Sequence, residues 1–164
     1  MRKRDLVPAF VIAACIAVFA TAGPASADAV YHTEHLGLTP IGGAPLRSGF
    51  VQNIQAEGPT IYAHEIYVLS GALPNDTYTV VWNGYLGDPD PLGNYPGDPT
   101  CSLDPSPYPS AMLDTNAAGN ARGDVKYVPE DVVGLPSPIG VIWTFFDSAG
   151  ELAFTTTCTS VSLH

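Results

Sequence analysis

Along most of this chain apolar and polar residues alternate with a period of two, in short runs, and the three-to-four spacing of an amphipathic helix is hardly seen. The run 60–69 shows the pattern best: Ile61, Ala63, Glu65, Tyr67 and Leu69 share one face of a strand, and Tyr62, His64, Ile66 and Val68 share the other. Similar runs, rich in β-branched and aromatic residues, predict strands over 30–36, 47–55, 60–69, 77–86, 110–114, 122–128, 140–146 and 151–161. About eight short strands, with turn signals every ten residues or so, point to an all-β chain folded as a two-layered Greek-key β-sandwich of immunoglobulin or fibronectin-like architecture.

The punctuation between the runs supports this. Gly and Pro number sixteen each, while strong helix formers are sparse. The segment from Asp114 through Asn116 and Gly119 to Asn120, and the segment Asp147-Ser148-Ala149-Gly150, supply residues that tolerate positive φ and read as hairpin turns. Leu73-Pro74-Asn75-Asp76-Thr77-Tyr78-Thr79-Val80 resembles the tyrosine corner of fibronectin type III and immunoglobulin sandwiches. That resemblance covers these residues alone; it implies a Tyr78 hydroxyl bonded back to the upstream backbone and carries no function.

One segment breaks the alternation. Residues 84–109 hold seven prolines and four aspartates (Asp88, Asp90, Asp98, Asp104), a composition that excludes a central strand. Loops of this length are usually functional or disordered. Proline restricts the unfolded chain and Cys101 ties the segment down, so it reads as an ordered surface loop.

The two ends of the chain add a compartment. Arg2-Lys3-Arg4, an apolar stretch from Leu6 to Ala22 and the small residues Ala25-Ser26-Ala27 read as a secretory signal peptide over 1–27, leaving 28–164 as a single domain. Ile12-Ala13-Ala14-Cys15 also has the form of a bacterial lipoprotein box, which makes Cys15 the site of an alternative lipid anchor. Cys101 and Cys158 remain after processing and, in an oxidising compartment, are expected to form a disulfide. The whole chain carries a net charge of −10, and the mature chain, with only Arg47, Arg122 and Lys126 as bases, is more acidic still. Phosphate backbones are repelled by such a surface, which excludes nucleic acid as a partner, and no membrane span is expected after signal cleavage.

Candidate chemistry is thin. His32-Thr33-Glu34-His35 places two imidazoles near each other in sequence, although on a strand they point to opposite faces unless the segment bends. His64-Glu65 begins a zinc-protease motif, but Val68 stands where the second His belongs and the segment reads as strand. A Zn or Cu site built from His32 or His35 with His64 and Glu65 is one expectation. Either His64 or Glu65 is expected to face the core, where an ionisable group must be paired or shift its pKa. Asp88, Asp90 and Gly93 are spaced like the start of an EF-hand loop, but Leu92 replaces an oxygen ligand; a bespoke Ca site from Asp88, Asp90 and Asp98, or from Asp114, Asn116 and Asn120, is a second expectation. Arg122-Gly123-Asp124 is the tripeptide that integrins bind, set inside a strand run, and Asn75-Asp76-Thr77 is a glycosylation sequon.

Tyr85, Tyr95 and Tyr108 lie in or beside the long loop and offer flat apolar faces to a sugar or a protein. The leading functional expectation is therefore a secreted, non-catalytic module that binds an extracellular protein or glycan through Tyr85, Asp88, Asp90, Tyr95, Asp98 and Tyr108. The alternatives are a small secreted metal-binding protein or metalloenzyme, and a structural envelope protein with acidic Ca-binding loops.

Overall fold

Alternation becomes burial in the strand that follows residue 62. In the computed structural model, which describes residues 31–56, 63–132 and 134–161, Ala63, Glu65, Tyr67 and Leu69 are buried, and the residues between them are half-exposed. The chain is all-β. Its strands are β1 (Tyr31–Gly37), β2 (Thr39–Pro40), β3 (Ser48–Ala56), β4 (Ala63–Ser70), β5 (Thr77–Tyr85), β6 (Ser106–Asp114), β7 (Ala121–Tyr127), β8 (Ile139–Phe146), β9 (Leu152–Thr155) and β10 (Thr159–Val161). A single helical turn, α1 (Pro129–Val132), follows β7.

The strands form two antiparallel sheets. One has the order β1-β3-β4-β7; the other has the order β2-β9-β8-β5-β6, with β10 paired to β8. Val51, Tyr67 and Leu69 of the first sheet belong to the same core cluster as Tyr78, Val80, Trp143, Phe145 and Phe154 of the second. The Tyr67 and Phe145 rings meet edge to face across this core, with centroids 6.1 Å apart. Burying each such side chain contributes about 1.5–3 kcal/mol.

Several boundaries differ from the pattern-based expectation. The run expected over 151–161 is broken into β9 and β10, and the tract after β1 pairs with β9 as the short β2. The 114–120 connection is a tight turn, with the Asn116 amide donating to Asn120 O at 3.0 Å, but it joins strands of different sheets. Asp147–Glu151 closes an ordinary hairpin between β8 and β9.

The largest correction concerns the long loop. β5 ends at Tyr85 and β6 starts at Ser106, so the loop proper is 86–105, and Pro107 and Pro109 lie within a strand. β6 is the edge of its sheet, where a missing N–H on the outer side breaks no ladder, and its register with β5 shifts between Val80 and Val81.

Two features anchor loops at opposite ends of β5. The Leu73 amide donates to the Tyr78 hydroxyl at 3.2 Å, the bond back to the upstream backbone that the sequence implied. Cys101 and Cys158 are joined, with Cα atoms 6.0 Å apart, tying the loop to the break between β9 and β10. The loop also hydrogen-bonds to the sheet: Asp98 N donates to Tyr85 O at 2.8 Å, and Gly140 N donates to Asp98 O at 3.0 Å. Only glycine fits at 140, since a Cβ there would lie 2.4 Å from Asp98 O and 2.7 Å from Cys101 Sγ.

Candidate functional site

Register brings two rows of side chains into opposition between the sheets. On the first sheet Glu34 pairs with Asn53 and Asn53 with Glu65, which places the three on one inward-facing row. On the second sheet Tyr108 pairs with Trp82 and Trp82 with Trp143. The rows touch where Trp143 Nε1–H donates to Glu65 Oε2 at 3.0 Å.

Glu65 is 1% exposed and receives further donors. The Tyr67 hydroxyl donates to the same Oε2, and the Ser110 hydroxyl reaches it at 3.5 Å. Because the Tyr67 hydrogen is committed to the carboxyl, its oxygen accepts from Ser110 Oγ at 2.5 Å, and Ser110 in turn accepts from the Tyr127 hydroxyl at 2.6 Å. This is a one-way relay of donors, each polarising the next, running from β7 through β6 to β4. Burial nonetheless dominates. Desolvation pushes the Glu65 carboxyl up to about 7, against the lowering effect of Tyr67, Trp143, Ser110 and Tyr127. Burial, then the neighbouring Glu65 charge, likewise holds the Tyr67 and Tyr127 hydroxyls above their ordinary range.

Beside this carboxyl lies a cavity of about 290 Å³. Asn53, Glu65 and Asp131 are among its polar lining, Trp82, Tyr108 and Tyr127 are its aromatic lining, and Ala63, Leu86, Leu135 and Val161 are aliphatic. The ring of Trp82 lies over Gly84, where an added Cβ would come within 2.3 Å of it, so this part of the lining depends on that glycine. Asn53 is 2% exposed, and among the described residues its Oδ1 has no hydrogen-bond partner, nor has Oε2 of Glu34 next to it in the row. Burial also raises the Glu34 pKa. Native interiors rarely leave buried acceptors unpaired, and each such group costs about 1–3 kcal/mol.

The expected site residues are distributed differently. His64 lies on the opposite face of β4 from Glu65 and bonds to Asp124 at 3.0 Å. His35 is on β1, separated from β4 by β3, and stacks on Phe50 with ring centroids 4.1 Å apart. Of His32 only the pairing with Gln55 is described. His35, His64 and Glu65 are therefore not gathered, and no group of three or more His, Cys, Asp or Glu is arranged to hold a metal among the described residues. Cys15 and the proposed signal peptide lie outside the described residues.

In the loop, the carboxylates organise their own backbone. Asp98, 7% exposed, accepts from the amides of Thr100, Ser102 and Leu103 and from the Thr100 and Ser102 hydroxyls. The Thr100 hydroxyl and those amides hold its pKa well below the usual carboxylate range. Asp90 accepts from the amides of Leu92 and Asn94 and from the Asn94 side chain, which lowers its pKa as well. At the other proposed Ca site, Asn116 Oδ1 accepts from the Ala118 and Asn120 amides, and Asp114 accepts from Thr77. Asp88 and Tyr95 are exposed, Tyr85 ends β5, and Tyr108, 60% exposed, stands at the cavity.

Of the residues picked out from sequence, Glu65 and Tyr108 thus line one cavity, Cys101 is joined to Cys158, and Asp98 bonds to the Tyr85 backbone. Asn53, Trp82, Ser110 and Tyr127 escaped the sequence reading, because nothing in a strand pattern distinguishes a buried polar residue that lines a cavity from one that is merely paired. No family model matches the chain, and neither a curated protein nor a solved structure does so.

Proposed function

We propose that this is a secreted, non-catalytic binding module, a Greek-key β-sandwich whose ligand site is the cavity between its sheets rather than the carboxylates of its long loop. The sandwich reading is supported by one core shared by two antiparallel sheets and by the Leu73–Tyr78 corner. The strand order β1-β3-β4-β7 differs from the ABED sheet of immunoglobulin domains, because β3 and β4 are consecutive and pair directly. Secretion is supported by the disulfide. No helix among the described residues is long and apolar enough to cross a membrane.

The observation that carries the binding function is the pair of inward acceptors, Glu65 and the unpartnered Asn53 Oδ1, in the lining of a largely apolar cavity. Ligand pockets combine an apolar lining with a few placed polar groups, and run from about 300 to 1,000 Å³. This one is at the small end and fits a small molecule. Filling it tests the reading. Ala63→Leu projects into the cavity from β4; it is expected to leave the fold intact and to abolish the binding of small molecules selected by thermal shift and followed through Trp82 fluorescence. Ligands that bind Ala63→Leu as tightly as wild type would sink the assignment.

A second reading, recognition of an extracellular protein or glycan by the 86–105 loop, is favoured by the exposure of Leu92, Tyr95 and Leu103 on that loop. Leu92→Asp combined with Leu103→Asp is expected to abolish such recognition without changing occupancy of the cavity.

A further inference from the structure

The cavity's chemistry also selects a class of ligand, an inference that rests on the binding function proposed above. Its lining presents acceptors: a carboxyl whose described hydrogen bonds all converge on Oε2, and an amide oxygen with no partner. The other acid on its lining is Asp131, and among the described residues there is no Lys, Arg or His on that lining. Trp82, Tyr108 and Tyr127 supply the aromatic part of the lining. A carboxylate or phosphate ligand would find two acids and no base here, in a chain of net charge −10. A purely apolar ligand would leave Asn53 Oδ1 unpaired. A cation with N–H donors pairs both acceptors, and aromatic faces attract cations.

We propose that the cavity takes a small organic ammonium ion, an amine carried on an apolar body, whose N–H groups donate to Glu65 and Asn53 while the body lies against Trp82 and Tyr108. The groups that face Glu65 from neighbouring elements are Tyr67 on its own strand, Tyr127 on β7, Ser110 and Tyr108 on β6, Trp143 on β8, Asn53 on β3 with Glu34 beyond it on β1, and Asp131 on α1. None of them is a base. Among the described residues no cation touches the carboxyl, so the arrival of an ammonium ion favours its ionised form. Binding near neutral pH releases the proton that burial holds on part of the Glu65 population.

The test uses the intact protein and three probes of one shape: phenethylamine, 2-phenylethanol and phenylacetate. Calorimetry at pH 7 in buffers of different ionisation enthalpy is expected to show phenethylamine binding at least tenfold tighter than the alcohol, with proton release, and phenylacetate not binding. Glu65→Gln is expected to abolish the proton release and to bring the amine's affinity down to the alcohol's. Should that variant fail to fold, the buffer dependence measured on the unaltered protein decides the matter alone. Alcohol or acid binding as well as the amine, or amine binding without proton release, overturns the ammonium assignment and leaves the cavity as a binding site. If none of the three binds at millimolar concentration and none shifts the resonances of the cavity residues, the binding function falls with it.

Discussion

The molecule holds two carboxylates almost fully out of solvent, Asp98 in the long loop and Glu65 between the sheets, and their pKa values move in opposite directions. Asp98 is enclosed by donors that nearby backbone supplies: three amides and two hydroxyls from the five residues that follow it. Those donors exist to be satisfied in any case, so holding the charge there closes the turn. Glu65 has donors only from side chains, Tyr67 on its own strand and Ser110 and Trp143 on the other sheet, all on one oxygen, and it lines a largely apolar cavity. Desolvation prevails there, and the site sits near the midpoint of its titration at neutral pH. A carboxyl used structurally is stabilised by local backbone; one left half-satisfied is a group awaiting a partner.

The largest effect expected is on the Asp98 side. Replacing both Cys101 and Cys158 by Ser opens a loop closed over a separation of 57 residues and is expected to cost about 4 kcal/mol in denaturant unfolding on the chain-entropy account. If the comparison is right, the Glu65 titration, followed by its carboxyl resonance, stays near 7 in this variant, because no donor to Glu65 comes from the loop. A Glu65 pKa that falls with the disulfide would show the two regions to be one.

Next in size is the pH dependence of stability. A carboxyl whose folded pKa is raised above its unfolded value retains its proton longer in the folded state. Its stabilisation is therefore complete below pH 4.5 and is lost as pH rises through about 7. The two and a half units correspond to about 3 kcal/mol lost across that window in the unliganded protein, and Glu34, also raised, adds in the same direction. Asp98 and Asp90, whose pKa values are lowered, act oppositely, losing stability as pH falls below the ordinary carboxylate range. Stability of Glu65→Gln across pH 4–8 is expected to decline much less than wild type, keeping only the smaller contribution of Glu34. A wild-type curve that rises through this window would show that the donors outweigh desolvation at Glu65.

Much of this fold was legible in the sequence, and the reason is physical: a period of two over several residues fixes which face is buried. The alternation in 60–69 placed Glu65 among apolar neighbours, and the resemblance of residues 73–80 to a tyrosine corner implied the Tyr78 bond to upstream backbone, which is made with Leu73. Breaks in pairing were not legible. Pro107 and Pro109 excluded a central strand, but an edge strand tolerates them, so β6 was shortened and the loop lengthened. The site was half legible for a related reason. Asp88, Asp90 and Asp98 share a composition with cation-binding loops, and only geometry shows that two of them are committed to their own turns. Asn53 and Trp82 acquire meaning only when strands distant in sequence come into register.

The smallest effect is the sharpest probe of the Glu65 environment. Trp143→Phe removes one donor to Oε2 while keeping an aromatic ring in the core. With one donor fewer the ionised form loses support and the Glu65 pKa is expected to rise further, by about one unit, or roughly 1.4 kcal/mol. Tyr67→Phe acts in the same direction and also cuts the relay from Tyr127 and Ser110, so its shift should be at least as large. If the two shifts add in the double variant, Trp143 and Tyr67 act on the carboxylate independently. If the double variant shows less than the sum, the remaining oxygen has found water or ligand through the cavity, and the unpaired side of Glu65 is open to whatever enters it.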